Sequence, residues 1–64
     1  MNLVSGTIVE IYIEDGTTCG KVQIGGAFSR VPLIFLPHVK TGDTILIESG
    51  VAISKIEAAE VKEL

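Results

Sequence analysis

From Thr7 to Glu14 the chain alternates: Val9, Ile11 and Ile13 point one way, Glu10, Tyr12 and Glu14 the other, and only Ile8 falls out of step. A period of two belongs to a strand with one buried face. Asp15-Gly16 follows at once, a dipeptide suited to the left-handed positions of a tight hairpin turn. Lys21-Val22-Gln23-Ile24 then resumes the alternation with Val22 and Ile24 inward, so the first two strands are predicted to pair antiparallel. That hairpin restricts the chain to a fold built around a small antiparallel sheet.

The rest continues in the same style. Gly25-Gly26 marks a turn, and the segment from Ala27 to Leu36 places Val31, Leu33 and Phe35 on one face with Arg30 among the alternates. Pro32 cannot donate to a ladder and marks an edge, a bulge or the point where the strand leaves the sheet. A polar connection from Leu36 ends in the Thr41-Gly42-Asp43 turn, and Thr44 to Glu48 forms a fourth strand. Ser49-Gly50 is read as a bend that does not fully break the chain before a fifth strand, Val51 to Ile56, with Val51 and Ile53 on one face. Residues 57–64 are rich in Ala, Glu, Lys and Leu and predict a short C-terminal helix with Ala58, Val61 and Leu64 toward the sheet. Eight residues are marginal alone, so docking must hold the helix.

Five short strands in so small a chain point to a closed or nearly closed barrel, which removes exposed edges. The expected fold is mainly β: a five-stranded OB-like barrel, or an SH3-like one, over residues 1–56, with the helix of residues 57–64 packed on the same single domain. Sixty-four residues leave no material for a second core or a large cleft.

Composition removes several functions. His38 is the sole histidine and reads as an exposed loop residue, while Glu10, Glu14 and Asp15 read as a solvated acidic cluster, so no catalytic set is assigned. One His and one Cys give no metal-ligand pattern, and no resident cofactor is expected. Gly25-Gly26 lacks the following helix that a phosphate loop requires. Cys19 cannot close an internal disulfide; it is out of phase with Val22 and Ile24, and a packed small hydrophobe is favoured over a reactive thiol. A net charge of −3 and the absence of Trp oppose nucleic-acid binding, and Lys21, Arg30, Lys40 and Lys55 are spread along the sequence. No apolar stretch approaches a membrane span and no export signal opens the chain, so a cytoplasmic protein is expected. A surface for another protein remains, with Leu3, Val4 and Phe28 as candidates, although Leu3 and Val4 could equally open the first strand and enter the core.

Several segments, in order, resemble the HypC/HupF family of hydrogenase maturation chaperones. They are Gly6-Thr7-Ile8-Val9-Glu10-Ile11, Lys21-Val22-Gln23-Ile24-Gly25-Gly26, Leu36-Pro37, Val39-Lys40-Thr41-Gly42-Asp43-Thr44-Ile45-Leu46-Ile47, and Gly50-Val51-Ala52-Ile53-Ser54-Lys55-Ile56. The resemblance implies a small OB-like chaperone with a C-terminal helix. Such a protein works with a HypD-like maturation protein and the hydrogenase large-subunit precursor to deliver an Fe(CN)2CO unit, without catalytic turnover. In the family the opening carries a cysteine after the initiator Met and a proline before the glycine. Here Asn2 stands in place of the thiol and Ser5 in place of the proline, with the opening one residue shorter. Glu48 stands near a position where the family often has histidine. An amide does not ligate iron as a thiolate does.

The expected function is therefore that of a diverged, noncatalytic accessory protein. Its partner-binding residues are Asn2, Leu3, Val4, Ser5 and Gly6 with Glu48 and Gly50, and Cys19 is the only thiol left for any transient iron unit. The alternatives are an OB-like nucleic-acid or ligand-binding module, or a unit that self-assembles into a homo-oligomer through its edge strands.

Overall fold

The computed structural model describes residues 3–56, which form five antiparallel strands in one sheet. They are β1 (Leu3–Glu14), β2 (Thr17–Ile24), β3 (Ala27–Pro32), β4 (Thr44–Glu48) and β5 (Val51–Ile56). Their order across the sheet is β3-β2-β1-β4-β5. Asn2 and the helix expected over 57–64 lie outside the described residues.

Asp15-Gly16 joins β1 to β2 with φ of 52° and 79°, and Ser49-Gly50 joins β4 to β5 with φ of 55° and 80°. Two successive positive φ values match the right-handed twist of the flanking strands. Ser49-Gly50 thus reverses the chain completely, where the sequence suggested an incomplete bend. Serine is uncommon in the left-handed region, so its residue type conceals the turn.

The phase of β1 differs from the expected one. Ile8, the apparent misfit, is 1% exposed, whereas Val9, expected inside, is 41% exposed. Ile8 pairs with Val22 and Glu10 with Lys21, which leaves Val9 as the extra residue of a β-bulge. Gly6 and Ile8 face inward before the bulge and Ile11 after it, packed against the core; Ile13, beyond the core, is 72% exposed. A second bulge lies in β5, where Leu46 pairs with Ser54 and Ile47 with Ala52, leaving Ile53 unmatched. Ala52 is consequently buried and Ile53 exposed, so Val51 and Ile53 do not form the inner face.

Bulges sharpen the local twist, and the sheet curls around Ile8, Val22, Val31, Leu33, Ile45, Ile47 and Ala52. β3 approaches β5 but forms no ladder with it, so the sheet is not closed into a barrel. The physical reason lies partly in Pro32. The Leu33 N–H donates to the Thr18 carbonyl at 2.9 Å, so the preceding nitrogen, that of Pro32, faces the free edge of β3 with no hydrogen to give. The strand ends there. The Leu36 N–H turns back onto the Leu33 carbonyl at 3.0 Å, the period of two stops, and Phe35 is left 64% exposed instead of following Val31 and Leu33 inward.

The Thr41-Gly42-Asp43 turn is fastened to β1. Ile8 donates to the Asp43 carbonyl at 2.9 Å, and Gly42 donates to the Ile8 carbonyl at 2.8 Å. The Asp43 carboxylate accepts from the Lys40 N–H at 2.9 Å and lies 3.5 Å from Lys55 Nζ. The Lys40 N–H is the main reason that the Asp43 pKa is held below the ordinary carboxylate value, with the Lys55 charge adding to it. A depressed pKa contributes stability above the unfolded-state value and loses it as pH falls through the folded-state value. Melting temperatures of the native chain and Asp43→Asn should therefore differ near neutrality, begin to approach each other only below about pH 4, and converge once pH lies below the depressed folded-state value. A constant difference across that range would contradict this role.

Candidate protein-binding site

The first residues of β1 are placed by β4. Leu3 lies opposite Glu48, Val4 opposite Ile47, Ser5 opposite Leu46 and Gly6 opposite Ile45. Leu3 and Val4 thus open the first strand but do not enter the core, and Leu3 is 55% exposed. The Ser49-Gly50 turn follows Glu48 directly, so Leu3, Val4, Ser5, Glu48 and Gly50 gather at one end of the sheet. Pairing of β1 with β2 begins only at Thr7, opposite Gln23, so Leu3 to Gly6 are laddered on one side alone.

Next to this half-free strand is a concavity of about 340 Å³. Val4, Ile24, Val31 and Ile47 give it an apolar surface, and Ser29, Arg30, Ser49 and Gly50 complete its lining. Sequence reasoning assigned Ile24 and Val31 inward positions without finding this shared hollow. Their association depends on the curl of the sheet, which the period of two does not report.

Gly6 belongs to the packing beneath the surface. A Cβ there would stand 2.5 Å from Val22 Cγ1 and 2.9 Å from Ile24 Cγ1, so only glycine lets β1 and β2 approach this closely. Phe28 is exposed on β3, with Lys21 Nζ 4.9 Å from its ring centroid, and does not line the concavity.

Cys19 is 5% exposed. It lies opposite Tyr12 on β1 and Pro32 on β3, on the face that also carries Lys21, so it is packed outside the main core. Burial, followed by the neighbouring Cys19, raises the pKa of the Tyr12 hydroxyl. Tyr12 is nine residues along β1 from Leu3, on the order of 30 Å in an extended strand. Cys19 is therefore far from the end where the N-terminal residues gather.

The cations are less dispersed than their sequence positions suggest. Lys21 and Arg30 are directly opposite each other on β2 and β3. Arg30 donates to Glu14 at 2.6 Å, which raises the guanidinium pKa, and Glu10 lies opposite Lys21. The outer face thus balances two carboxylates against two cations, and the acidic cluster of Glu10, Glu14 and Asp15 is divided by that pairing. His38 is exposed on the β3–β4 connection. Among the described residues, no group of three His, Cys, Asp or Glu side chains is placed to hold a metal ion, and no helix is long and apolar enough to cross a membrane.

The sequence model of the HupF/HypC family matches residues 4–64 of this chain. The hydrogenase maturation factor HypC of Synechocystis sp. is 36% identical over 44 residues, which make up 69% of this chain and 58% of that relative. The aligned part thus spans little more than half of the relative's length.

Proposed function

As the chain belongs to the HupF/HypC family, we propose that it acts in hydrogenase maturation as a diverged, noncatalytic accessory protein that binds other proteins. Its OB-like strand arrangement serves as a scaffold, and Leu3, Val4, Ser5, Glu48 and Gly50 form the contact surface. The observation that carries this reading is the pairing of Leu3 with Glu48 and of Val4 with Ile47, which brings the start of β1 to the end of β4, where Val4, Ile47 and Gly50 line one apolar hollow. Exposed aliphatic side chains beside a concavity suit a protein partner.

The partner is a HypD-like maturation protein or the precursor of a hydrogenase large subunit, met in the cytoplasm. The iron unit handled by this family is cargo. Asn2 replaces the thiol that would contact it, and the buried Cys19 lies near the opposite end of β1. We assign this copy a holding role without iron transfer and without a resident cofactor.

The test is a tagged pull-down from the native cytoplasm, with co-purifying proteins identified by mass spectrometry and the eluate assayed for iron. A HypD-like protein or a large-subunit precursor is expected, without stoichiometric iron. Leu3→Asp combined with Val4→Asp should weaken that capture about tenfold or more, as loss of a buried anchor does. Both side chains are exposed, so the melting curve should change little. Recovery of neither partner, or undiminished capture by the double variant, would sink the reading.

A further inference from the structure

The Ile8 N–H donates to the Asp43 carbonyl and the Ile8 carbonyl accepts from the Gly42 N–H, so both backbone groups of Ile8 point to the β4 side. These directions alternate along an antiparallel strand. Gly6 and Val4 therefore also face β4, while Thr7, Ser5 and Leu3 face the side of β2. Thr7 meets Gln23 there, in the last pair of the β1–β2 ladder. Two residues further the register would set Gly25 opposite Ser5, but Gly25 has a φ of 61° and belongs to the β2–β3 turn. The exposed Ser5 is thus left with an N–H and a carbonyl that no strand meets. We propose that a partner protein adds an extended segment to this edge, alongside Leu3 to Ser5, in the lane that β2 leaves at Gly25. The inference rests on the protein-binding reading above and specifies how the partner is held.

Three observations select an extended chain. The first is the edge itself: main-chain donors and acceptors at strand spacing are matched by another strand. The second is the hollow. Val4 is in phase with the buried Gly6 and Ile8, and it lines the hollow with Ile24, Val31 and Ile47. A residue set opposite Val4 in an added strand points to the same face. Its side chain enters the hollow, so the segment carries an aliphatic or aromatic residue at its centre. Arg30 at the rim is already engaged by Glu14 and calls for no acidic residue. The third is that the outer edges are blunted. Pro32 removes a donor from the free edge of β3, and the bulge at Ile53 breaks the register of β5. Leu3 to Ser5 contain no proline, bulge or charge.

Two changes at one position test this. Ser5→Pro removes the edge N–H but no bond to β4, since Val4 and Gly6 carry those, and proline is tolerated where the N–H side of an edge faces solvent. The melting curve should stay close to that of the native chain, while capture of the HypD-like protein or large-subunit precursor falls about tenfold or more. Ser5→Ala keeps the N–H and should alter capture by less than about twofold. In the isotope-labelled native chain, the Ser5 amide should exchange its hydrogen faster than that of Gly6, and slow by about tenfold or more when the recovered partner is added. Should Ser5→Pro unfold, the exchange measurement decides alone. Undiminished capture by Ser5→Pro, an equal loss in Ser5→Ala, or a Ser5 amide that stays fast in the complex would overturn this mode of binding and leave the protein-binding reading standing. Protection that rises with the concentration of this chain alone would give the edge to a second copy and overturn it too. A native chain that captures neither partner overturns both.

Discussion

Ile8→Ala should destabilise the protein by about 2–5 kcal/mol, the range for truncating a buried aliphatic side chain, while Val9→Ala should change stability by no more than about 0.5 kcal/mol. The two residues are neighbours with nearly identical chemistry, and only the bulge distinguishes them. Ile8 is buried against the core and its backbone exchanges hydrogen bonds with Gly42 and Asp43, whereas Val9 is the unmatched residue between two registers. Cores in chains below about 70–80 residues rarely supply more than about 3–5 kcal/mol. The Ile8 variant should therefore show a large unfolded fraction even without denaturant. Urea titration followed by far-ultraviolet circular dichroism measures both. If Val9→Ala proves the costlier change, the bulge is misplaced and the simple alternation holds.

Gly6→Ala is the second large effect, expected at about 1–3 kcal/mol for an over-packed site. The new Cβ meets Val22 and Ile24, both branched side chains on the inner face, so relief requires β1 and β2 to part. For a domain of this size each kcal/mol lowers the melting temperature by about 4–8 °C. The loss should appear in the isolated protein, before any partner is added. An unchanged melting curve with impaired partner capture would instead make Gly6 a contact residue, the role its sequence position suggested.

The five strands and the Asp15-Gly16 hairpin were legible because alternation and turn chemistry are local, whereas the Ser49-Gly50 reversal was hidden by its serine. Val22 and Ile24 point inward as their phase requires, Asp15-Gly16 makes its turn, and Pro32 ends β3. The bulges at Val9 and Ile53 were not legible, since a β-branched residue in a β-branched run looks the same whether matched or extra. Their positions follow from registers with β2 and β4, which no single strand encodes. The pairing of Lys21 with Arg30 and the joining of Ile24, Val31 and Ile47 around Val4 were hidden for the same reason: each depends on strands meeting in space. The gathering of Leu3 and Val4 with Glu48 and Gly50 could be expected only through the family resemblance, and β1–β4 pairing supplies its geometry.

That pairing also bears on how the chain folds. β1, β2 and β3 form a meander and β4 and β5 a hairpin, each closed by a two-residue turn. Such units form on the scale of microseconds. Joining them requires Leu3 to Thr7 to meet Thr44 to Glu48 across most of the sequence, the step with the largest loop-closure entropy. Residues Leu3 to Gly6 have no other ladder, so they are expected to be ordered last and released first. A protein that grips this end would act as a kinetic clamp, slowing unfolding more than it speeds folding, because its contacts form after the transition state.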